Sequence, residues 1–294
     1  MTGFVTLAVG NERYYKLAAN LLQSYRLNGN SDAPFAIFAD RENKYTAMFD
    51  KVVLMDSPHL SYMDKLSMLN APPYAHNIFI DADCLIYNDV SKLVENAQEN
   101  GVRCFGQALD IQSTEGWFLA DDVGEYKSEI KFIPQMHGGI IFFSDDELTR
   151  KIYNLALKIS SEYSKYKFKY FERPADEPIL ALSMAVNNCP PIELKGAHTG
   201  RMFCFLPAAR TIRMNIRDKC LAYEGNCGVT YEGVAVLHWQ NHMTRKPIYY
   251  REIDRMTMSK FQVGFRLVLR WIWYHAETIV LRGLSWIKRH LKIS

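Results

Sequence analysis

The sequence predicts an α/β fold in which helices cover a mostly parallel, mixed sheet. Strand and helix signals alternate over the first 110 residues. The strand signals are short apolar runs, as expected for strands that are buried on both faces. One of these runs ends at Ile80 and stops abruptly at two carboxylates. The carboxyl edge of such a sheet is where open α/β folds bind their ligands.

Each element is predicted from its apolar pattern and its boundary residues. Before the two carboxylates, the pattern predicts strands at Phe4–Val9, Phe35–Ala39, Lys51–Met55 and Ile78–Ile80, and helices at Arg13–Leu27 and Asp64–Asn70. After them, it predicts strands at Val102–Gln107, Ile140–Phe143 and Val234–Leu237, and helices at Val90–Ala97, Glu147–Tyr163 and Asp176–Val186.

Two long stretches have no clear period. Asp110–Pro134 is polar and aromatic, which is typical of a loop over an active site. Gly196–Gly233 is predicted to be a second irregular stretch. No linker rich in Gly, Pro or Ser precedes Arg251, and 294 residues with 48% apolar content suffice for one large core. We therefore predict one domain at 1–250 and a helical tail at 251–294.

The tail differs from the rest of the chain in charge. The formal net charge is +3, but residues 251–294 hold nine Lys and Arg against three Asp and Glu, which leaves the body mildly acidic. This distribution excludes a uniformly basic nucleic-acid-binding protein, so no nucleic acid is expected as a partner. A basic tail on an acidic body indicates an anionic surface as the partner instead.

Helical periodicity gives the tail an apolar face. Five charged residues fall within an arc of about 80°, which leaves a broad apolar and aromatic face. They are Arg266, Arg270, Glu277, Lys288 and Lys292. Apolar rings at headgroup depth with cations facing anionic lipid are typical of an interfacial helix, which Gly283 can divide in two. A helix packed on the domain or in a dimer interface is the alternative.

The six cysteines show neither CxxC pairs nor zinc-site spacing, so free and mostly buried thiols are expected. They are Cys84, Cys104, Cys189, Cys204, Cys220 and Cys227. A disulfide among the last three stays open. Met1–Gly10 lack the features of a signal peptide, which indicates a reducing cytoplasm. The sequence has no run of 18 uninterrupted apolar residues, so no segment is predicted to be a plain membrane-spanning helix.

The two carboxylates, Asp81 and Asp83, are separated by one small residue. Placed together in a crevice, they repel each other, and a divalent cation removes that cost. Hard cations such as Mg²⁺ or Mn²⁺ take oxygen ligands and are usually completed by water and substrate phosphates. The pattern therefore indicates a metal that holds a diphosphate. Two solvated aspartates at a turn are the alternative.

Six motifs follow one another in an order that resembles the retaining glycosyltransferases of family 8, which include glycogenin and bacterial galactosyltransferases of lipopolysaccharide synthesis. They are GFVTLAVGNERYY, MDKLSMLN, IFIDADCLIYNDV, HGGIIFF, ADEPIL and VAVLHWQNHMTRKPIY. The resemblance covers Gly3–Tyr250. It implies a single GT-A type nucleotide-binding domain that uses Mn²⁺ or Mg²⁺ to move a hexose from a UDP-sugar to a glycan or lipid-linked acceptor. With the tail, it places the protein on the cytoplasmic face of a membrane.

The resemblance also implies a metal site. Its ligands are Asp81, Asp83 and His238, which follows the strand Val234–Leu237. A lone histidine at a strand end is otherwise more often a surface or hydrogen-bonded residue. The loop from Gln240 to Arg245 is longer than in the family and leaves His242 as an alternative ligand. Lys246 is expected to contact the diphosphate, with an ordinary exposed lysine as the alternative.

The remaining site residues are implied by position. The expected nucleotide-binding residues are Thr6, Leu7, Asn11, Tyr14, Lys65 and Asp81, and the expected catalytic residues that face the donor sugar are Asp176 and Glu177. Helix-face packing is the alternative for Tyr14, and a helix N-terminal acid is the alternative for Asp176. Glu177 replaces the usual glutamine. Gly138 and Gly139 are explained by close backbone approach to the sugar or by a plain turn.

Two other functions fit part of the pattern. Phosphatases of the haloacid dehalogenase type also place DxD after an apolar strand, and Asp145-Asp146 can serve as their second acidic motif. That strand, however, normally lies near the start of the chain. A non-catalytic module that binds nucleotide sugars is the other alternative. Metal-dependent nucleotide binding without turnover would indicate it.

Overall fold

The computed structural model describes residues 1–61, 63–193, 202–205, 211–224, 228–240, 242–259 and 262–274. The strands in these ranges are β1 (Thr2–Ala8), β2 (Phe35–Ala39), β3 (Lys51–Leu54), β4 (His76–Ile80), β5 (Cys84–Ile86), β6 (Val102–Leu109), β7 (Ile133–Ser144), β8 (Ile192–Glu193), β9 (Phe203–Phe205), β10 (Thr211–Asn215), β11 (Cys220–Glu224), β12 (Thr230–Glu232) and β13 (Val236–His238). The helices are α1 (Glu12–Asn28), α2 (Asp64–Ser67), α3 (Ser91–Asn96), α4 (Glu147–Ser161), α5 (Asp176–Val186), α6 (Pro247–Thr257) and α7 (262–274).

A seven-stranded sheet in the order β3-β2-β1-β4-β7-β6-β8 forms the centre of the fold. The pairings among β1, β2, β3 and β4 are parallel, and β6 pairs in parallel with β8. Only β7 runs the other way, because it pairs antiparallel with both β4 and β6. The mostly parallel, mixed sheet predicted from the sequence is confirmed.

The chain direction changes beside β1. From β1 the chain moves outward through β2 to β3, and then returns to β4 on the other side of β1. The carboxyl ends of β1 and β4 therefore form the crevice where doubly wound sheets bind ligands. Asn11 follows β1 and Asp81 follows β4, so the fold places both at this crevice.

Apolar residues cover both faces of the sheet. Phe4 packs with α1, β5 and β13 on one face, and Val5 packs with α4 and α5 on the other. Four side chains at the centre of β1 and β4 are each at most 1% exposed. They are Phe4, Val5, Ile78 and Phe79. The alternation of side chains along each strand explains why neighbouring residues serve different cores.

Two small sheets were not predicted. β5, β13 and β9 form one, and the hairpin β10-β11-β12 forms the other. The expectation that Gly196–Gly233 is irregular is therefore wrong for its described part. The hairpin strands are short and half-exposed, so their apolar pattern is too weak to stand out from a loop.

The stretch Asp110–Pro134 is better ordered than predicted. It holds two short 3₁₀ turns, and its last two residues belong to β7. Phe118 is fully buried and bridges Phe168, while the Trp117 ring meets the Phe171 ring edge-on. Aromatic packing thus gives this region a small core of its own.

The helix α7 packs on α6. Because α6 runs across the predicted boundary between residues 250 and 251, the division into domain and tail stays a prediction. Arg266 and Arg270 lie against Asp254 of α6, so these two cations face the protein. Arg270 also lies over the ring of Tyr250, a residue of the predicted domain, so this polar face contacts both the domain and the start of the tail. The predicted break at Gly283 and the cations beyond it lie outside the described residues. Among the residues that the structure describes, no helix has the length and hydropathy needed to cross a bilayer.

Candidate active site

Two strand ends bring three predicted metal ligands together. The backbone turns directly after β4, where the amide of Cys84 donates to the carbonyl of Asp81 at 2.9 Å. The chain then pairs as β5 with β13, in a register that sets Cys84 opposite His238. His238 Nε2 consequently lies 3.0 Å from Asp83 Oδ1 and 3.7 Å from Asp81 Oδ2. All three side chains are at most 16% exposed.

This donor set fits a hard divalent cation. In an octahedral site with bonds of about 2.1 Å, adjacent ligand atoms lie roughly 3 Å apart. The distance of 3.0 Å between His238 Nε2 and Asp83 Oδ1 matches this spacing, and the distance of 3.7 Å to Asp81 Oδ2 is wider by less than 1 Å. His242 is exposed at the start of a 3₁₀ turn, and His238 is the histidine beside Asp83. The geometry thus favours His238 over the alternative ligand.

One further donor was not predicted. The thiol of Cys84 lies with Asp83 and His238 in a cluster whose ligand atoms are within 4.8 Å of one another. Burial raises the pKa of Cys84 well above its ordinary value, so the group is a neutral thiol. A hard cation prefers oxygen to a protonated sulfur. Cys84 therefore adds little to this site as the structure has it.

The charges in the cluster depend on one another. Burial raises the pKa of Asp81 even though Lys65 and His238 lower it. Burial also acts to raise the pKa of Asp83, but the hydrogen bond and charge of His238 lower it overall. For His238, burial acts to lower the pKa, and the two carboxylates raise it overall. A shared positive charge thus stabilises the pair of acids.

Lys65 of α2 connects this cluster to a second one. Its Nζ lies 3.0 Å from Asp81 Oδ1, 3.2 Å from Asp176 Oδ2 and 3.4 Å from the carbonyl oxygen of Gly138. Burial acts to lower the pKa of Lys65, but Asp176 and Asp81 raise it overall. Lys65 is therefore a charged, nearly buried lysine.

The second cluster lies at the start of α5. Glu177 Oε1 accepts a hydrogen bond of 2.8 Å from the amide of Gly138. Asp176 is 6% exposed and contacts Lys65, so it does more than offer a charge to the helix N-terminus. Burial raises the pKa of Glu177, and the charges of Asp176 and Asp81 raise it further.

Gly138 and Gly139 lie inside β7, so the plain turn is the wrong explanation for them. A Cβ on Gly138 would lie 3.1 Å from Glu177 Cγ and 3.2 Å from its Oε1. A Cβ on Gly139 would lie 2.9 Å from His238 Nδ1. The missing side chains let both clusters approach the same strand.

The predicted nucleotide residues divide into two groups. Asn11 accepts from the amide of Arg13 and caps α1, and Tyr14 is 39% exposed, so packing into the core does not account for it. Thr6 is fully buried, and its hydroxyl donates to the carbonyl of Ile80. The side chain of Thr6 therefore ties β1 to β4, which leaves only its backbone for a ligand. Leu7 is partly buried.

Lys246 precedes α6 and is also engaged. Its Nζ donates to the hydroxyl of Tyr274 at 2.5 Å and lies 5.0 Å from the centre of that ring. An ordinary exposed lysine is therefore not what the structure has at this position. Nothing in the sequence pattern indicated the partner, since 28 residues separate the two.

The acidic pair Asp145-Asp146 lies elsewhere. Asp146 caps α4 by accepting from the amide of Thr149, and Asp145 pairs with Arg150. Both follow Ser144, which pairs with His76 at the opposite end of β4 from Asp81. The pair is thus separated from Asp81 by about a strand length, roughly 17 Å for five residues.

Four cysteines of the described residues are free thiols, as expected from the sequence. They are Cys84, Cys104, Cys189 and Cys220.

Comparisons with known proteins give a fold. No protein-family model matches the chain, and no curated protein matches its sequence. Solved structures do match. An active-site mutant of LgtC has a TM-score of 0.50 at 14% identity, over 82% of this chain and 88% of that one. The galactosyltransferase LgtC in complex with donor and acceptor sugar analogs has a TM-score of 0.51 at 14% identity, over 87% and 94%. The chain therefore has the GT-A fold that these LgtC structures share, as the resemblance implied.

Proposed function

We propose that this chain is a divalent-metal-dependent glycosyltransferase that moves a hexose from a UDP-sugar to a glycan or lipid-linked acceptor, with retention of configuration. The convergence of Asp81, Asp83 and His238 at the sheet crevice carries the proposal. The shared fold supports it, since LgtC was solved with donor and acceptor sugar analogs. The choice of uridine rests on the family resemblance.

The residues divide the work by charge. Asp81, Asp83 and His238 would hold Mn²⁺ or Mg²⁺, which would supply a Lewis acid for the negative charge on the departing diphosphate. Lys246 adds a second positive charge for the same group. Asn11 and Tyr14 offer an amide and an aromatic face to the base.

The transfer step needs carboxylates beside the sugar. The bond from the anomeric carbon to the phosphate oxygen breaks with its electron pair on the diphosphate, and the acceptor hydroxyl oxygen forms the new bond and loses its proton. Asp176 and Glu177 are the acids available to hold the sugar hydroxyls, and the ammonium of Lys65 lies 3.2 Å from Asp176 Oδ2. Retention follows from two inversions at a carboxylate or from attack on the face of the leaving group.

A donor panel tests the proposal. The protein is incubated with Mn²⁺, a glycan mixture and one nucleotide sugar at a time, and release of the nucleoside diphosphate is measured. We expect release from UDP-glucose or UDP-galactose and at least a hundredfold less from the GDP- and CMP-sugars, on the order of the loss seen when a transition-state contact is removed. Asp176→Asn should abolish release. Binding of UDP-sugar without any release would indicate the non-catalytic module, and hydrolysis of a generic phosphomonoester would indicate a phosphatase.

The tail supports a further part of the proposal, peripheral contact with an anionic membrane on the cytoplasmic side. Six apolar side chains of α7 are 51–66% exposed. They are Phe265, Val268, Leu269, Trp271, Ile272 and Trp273. The sequence after α7 adds four cations, Arg282, Lys288, Arg289 and Lys292, against one acid, Glu277, which complements acidic headgroups.

Vesicle flotation tests the membrane contact. We expect binding to vesicles with acidic phospholipid and weaker binding to neutral ones. Leu269→Gln combined with Ile272→Gln should reduce the binding about tenfold, because each change removes apolar area from the face. Equal flotation of the wild type and this variant would count against contact through α7.

A further inference from the structure

The polar face of α7 meets α6 as a regular ladder. Asp254 is 5% exposed and lies 2.9 Å from one Arg270 nitrogen and 3.6 Å from Arg266. The Arg270 guanidinium lies 4.6 Å from the centre of the Tyr250 ring. The last contact between the two helical segments is the hydrogen bond from Lys246 to Tyr274.

The register of this ladder follows from the helix period. Tyr250 and Asp254 are four residues apart and lie along one side of α6, and Lys246, four residues before Tyr250, directly precedes the helix. On α7, Arg266, Arg270 and Tyr274 have the same spacing, and the two helices run antiparallel. The contacts of Asp254 with Arg266 and Arg270 therefore place Tyr274 opposite Lys246.

We propose that Tyr274 is a positioning residue for Lys246, so that α7 completes the active site. The inference rests on the proposed function, in which Lys246 contacts the diphosphate. A lysine side chain loses much rotamer freedom when it is fixed, and a fixed one contributes more to binding. Tyr274 fixes Lys246 in advance through both its hydroxyl and its ring.

The chemistry of the contact allows a ligand to bind as well. An ammonium group has three donors, and the tyrosine hydroxyl accepts one of them. The tyrosine is neutral, so the positive charge of Lys246 stays available for an anion. The contact therefore orders the lysine without neutralising it.

A double-mutant cycle with UDP as the probe tests the inference. The dissociation constant for UDP in the presence of Mn²⁺ is measured for wild type, Tyr274→Ala, Lys246→Met and the double variant of the full chain. We expect Lys246→Met to weaken binding about tenfold and Tyr274→Ala about fivefold. The double variant should match Lys246→Met alone. Tyr274→Phe keeps the ring and should fall between wild type and Tyr274→Ala.

Gly264→Ala is the control, since it changes the same helix at a position where nothing lies within 4 Å of the added atom. Its UDP affinity should equal that of the wild type. Unchanged or tighter binding in Tyr274→Ala would overturn the inference, and so would additive losses in the double variant. If the wild type does not bind UDP with Mn²⁺, the proposed function itself fails. The two failures are therefore distinguishable.

Discussion

The Nζ of Lys65 lies 3.2 Å from the Oδ2 of Asp176, in a nearly buried contact between α2 and α5. The same ammonium also contacts Asp81, so a single lysine joins the cluster of predicted metal ligands to the cluster predicted to hold the sugar. Removal of this charge should therefore affect stability and activity together.

Lys65→Met should leave two nearly buried carboxylates without their shared cation. Breaking such a pair costs about 3 kcal/mol, and we expect that loss in the free energy of unfolding, measured with urea at pH 7. Transfer activity should fall at least a hundredfold, on the order of the loss of a charge that stabilises the reaction. Lys16→Met, which removes an exposed lysine paired with Glu12, is the control and should change neither quantity. Wild-type activity in Lys65→Met would contradict the bridging role.

His238→Ala and His242→Ala separate the two candidate nitrogen ligands. His238 Nε2 lies 3.0 Å from Asp83, whereas His242 is exposed. We expect His238→Ala to weaken Mn²⁺ binding by about a hundredfold. Mutation of a residue that only hydrogen-bonds to a metal ligand lowers metal affinity by up to about a hundredfold, and loss of a ligand itself should cost at least as much. His242→Ala should bind Mn²⁺ like the wild type. Calorimetric titration with Mn²⁺ measures both, and a loss confined to His242→Ala would show that the ligands are misassigned.

Gly138→Ala should damage the site with little effect on the fold. The new Cβ would lie 3.1 Å from Glu177 Cγ and 3.2 Å from Glu177 Oε1, so Glu177 must shift by a few tenths of an ångström. Misplacement on this scale costs on the order of tenfold to a hundredfold in rate. The control is Gly264→Ala in α7, where nothing lies within 4 Å of the added atom and alanine favours the helix. Steady-state rates and thermal midpoints of the two variants give the comparison.

Asp146→Ala tests the role of the second acidic pair through pH. Burial acts to raise the pKa of Asp146, but its hydrogen bonds with Ser144, Thr149 and Gly101 lower it overall. The contribution of an acid with a lowered pKa is present above the unfolded value of about 3.9 and is lost as pH falls through the folded value. Asp146→Ala should therefore lose about 1 kcal/mol of stability at pH 7, as for a lost helix cap, and the difference should shrink in acid.

Transfer activity should survive in Asp146→Ala, because the residue caps α4 far from Asp81. Urea unfolding between pH 3 and 7 together with an activity assay checks both expectations. Loss of transfer activity in the folded variant would contradict this structural role for Asp146.

The sequence predicts the site best where a functional side chain lies at the end of a strongly apolar strand segment. Asp81, Asp83 and His238 each come directly after an apolar run, and the fold brings those strand ends together. The parallel pairing of the central strands was also predictable, because helices that alternate with strands are the crossovers that parallel strands need. The position of β7 as the antiparallel strand was not, since nothing local encodes the direction of a long-range pairing.

Contacts between distant segments account for most of what was missed. The pairing of β5 with β13 decides which histidine lies beside Asp83, and the contact between Lys246 and Tyr274 depends on how α7 docks. The hydroxyl of Thr6 joins β1 to β4, a contact between strands that the sequence did not indicate. Cys84 lies beside the site because of the same turn that places Asp83.

The most direct test of the central claim is a thermal-shift comparison of wild type and Asp83→Asn with UDP, GDP and CMP, each with and without Mn²⁺. A ligand at about 100 times its dissociation constant stabilises the folded state by about 2.7 kcal/mol. We predict a shift with UDP that requires Mn²⁺ and disappears in Asp83→Asn. Absence of any nucleotide shift in the wild type, or an equal shift in Asp83→Asn, would contradict a metal-dependent nucleotide-sugar site at Asp81, Asp83 and His238.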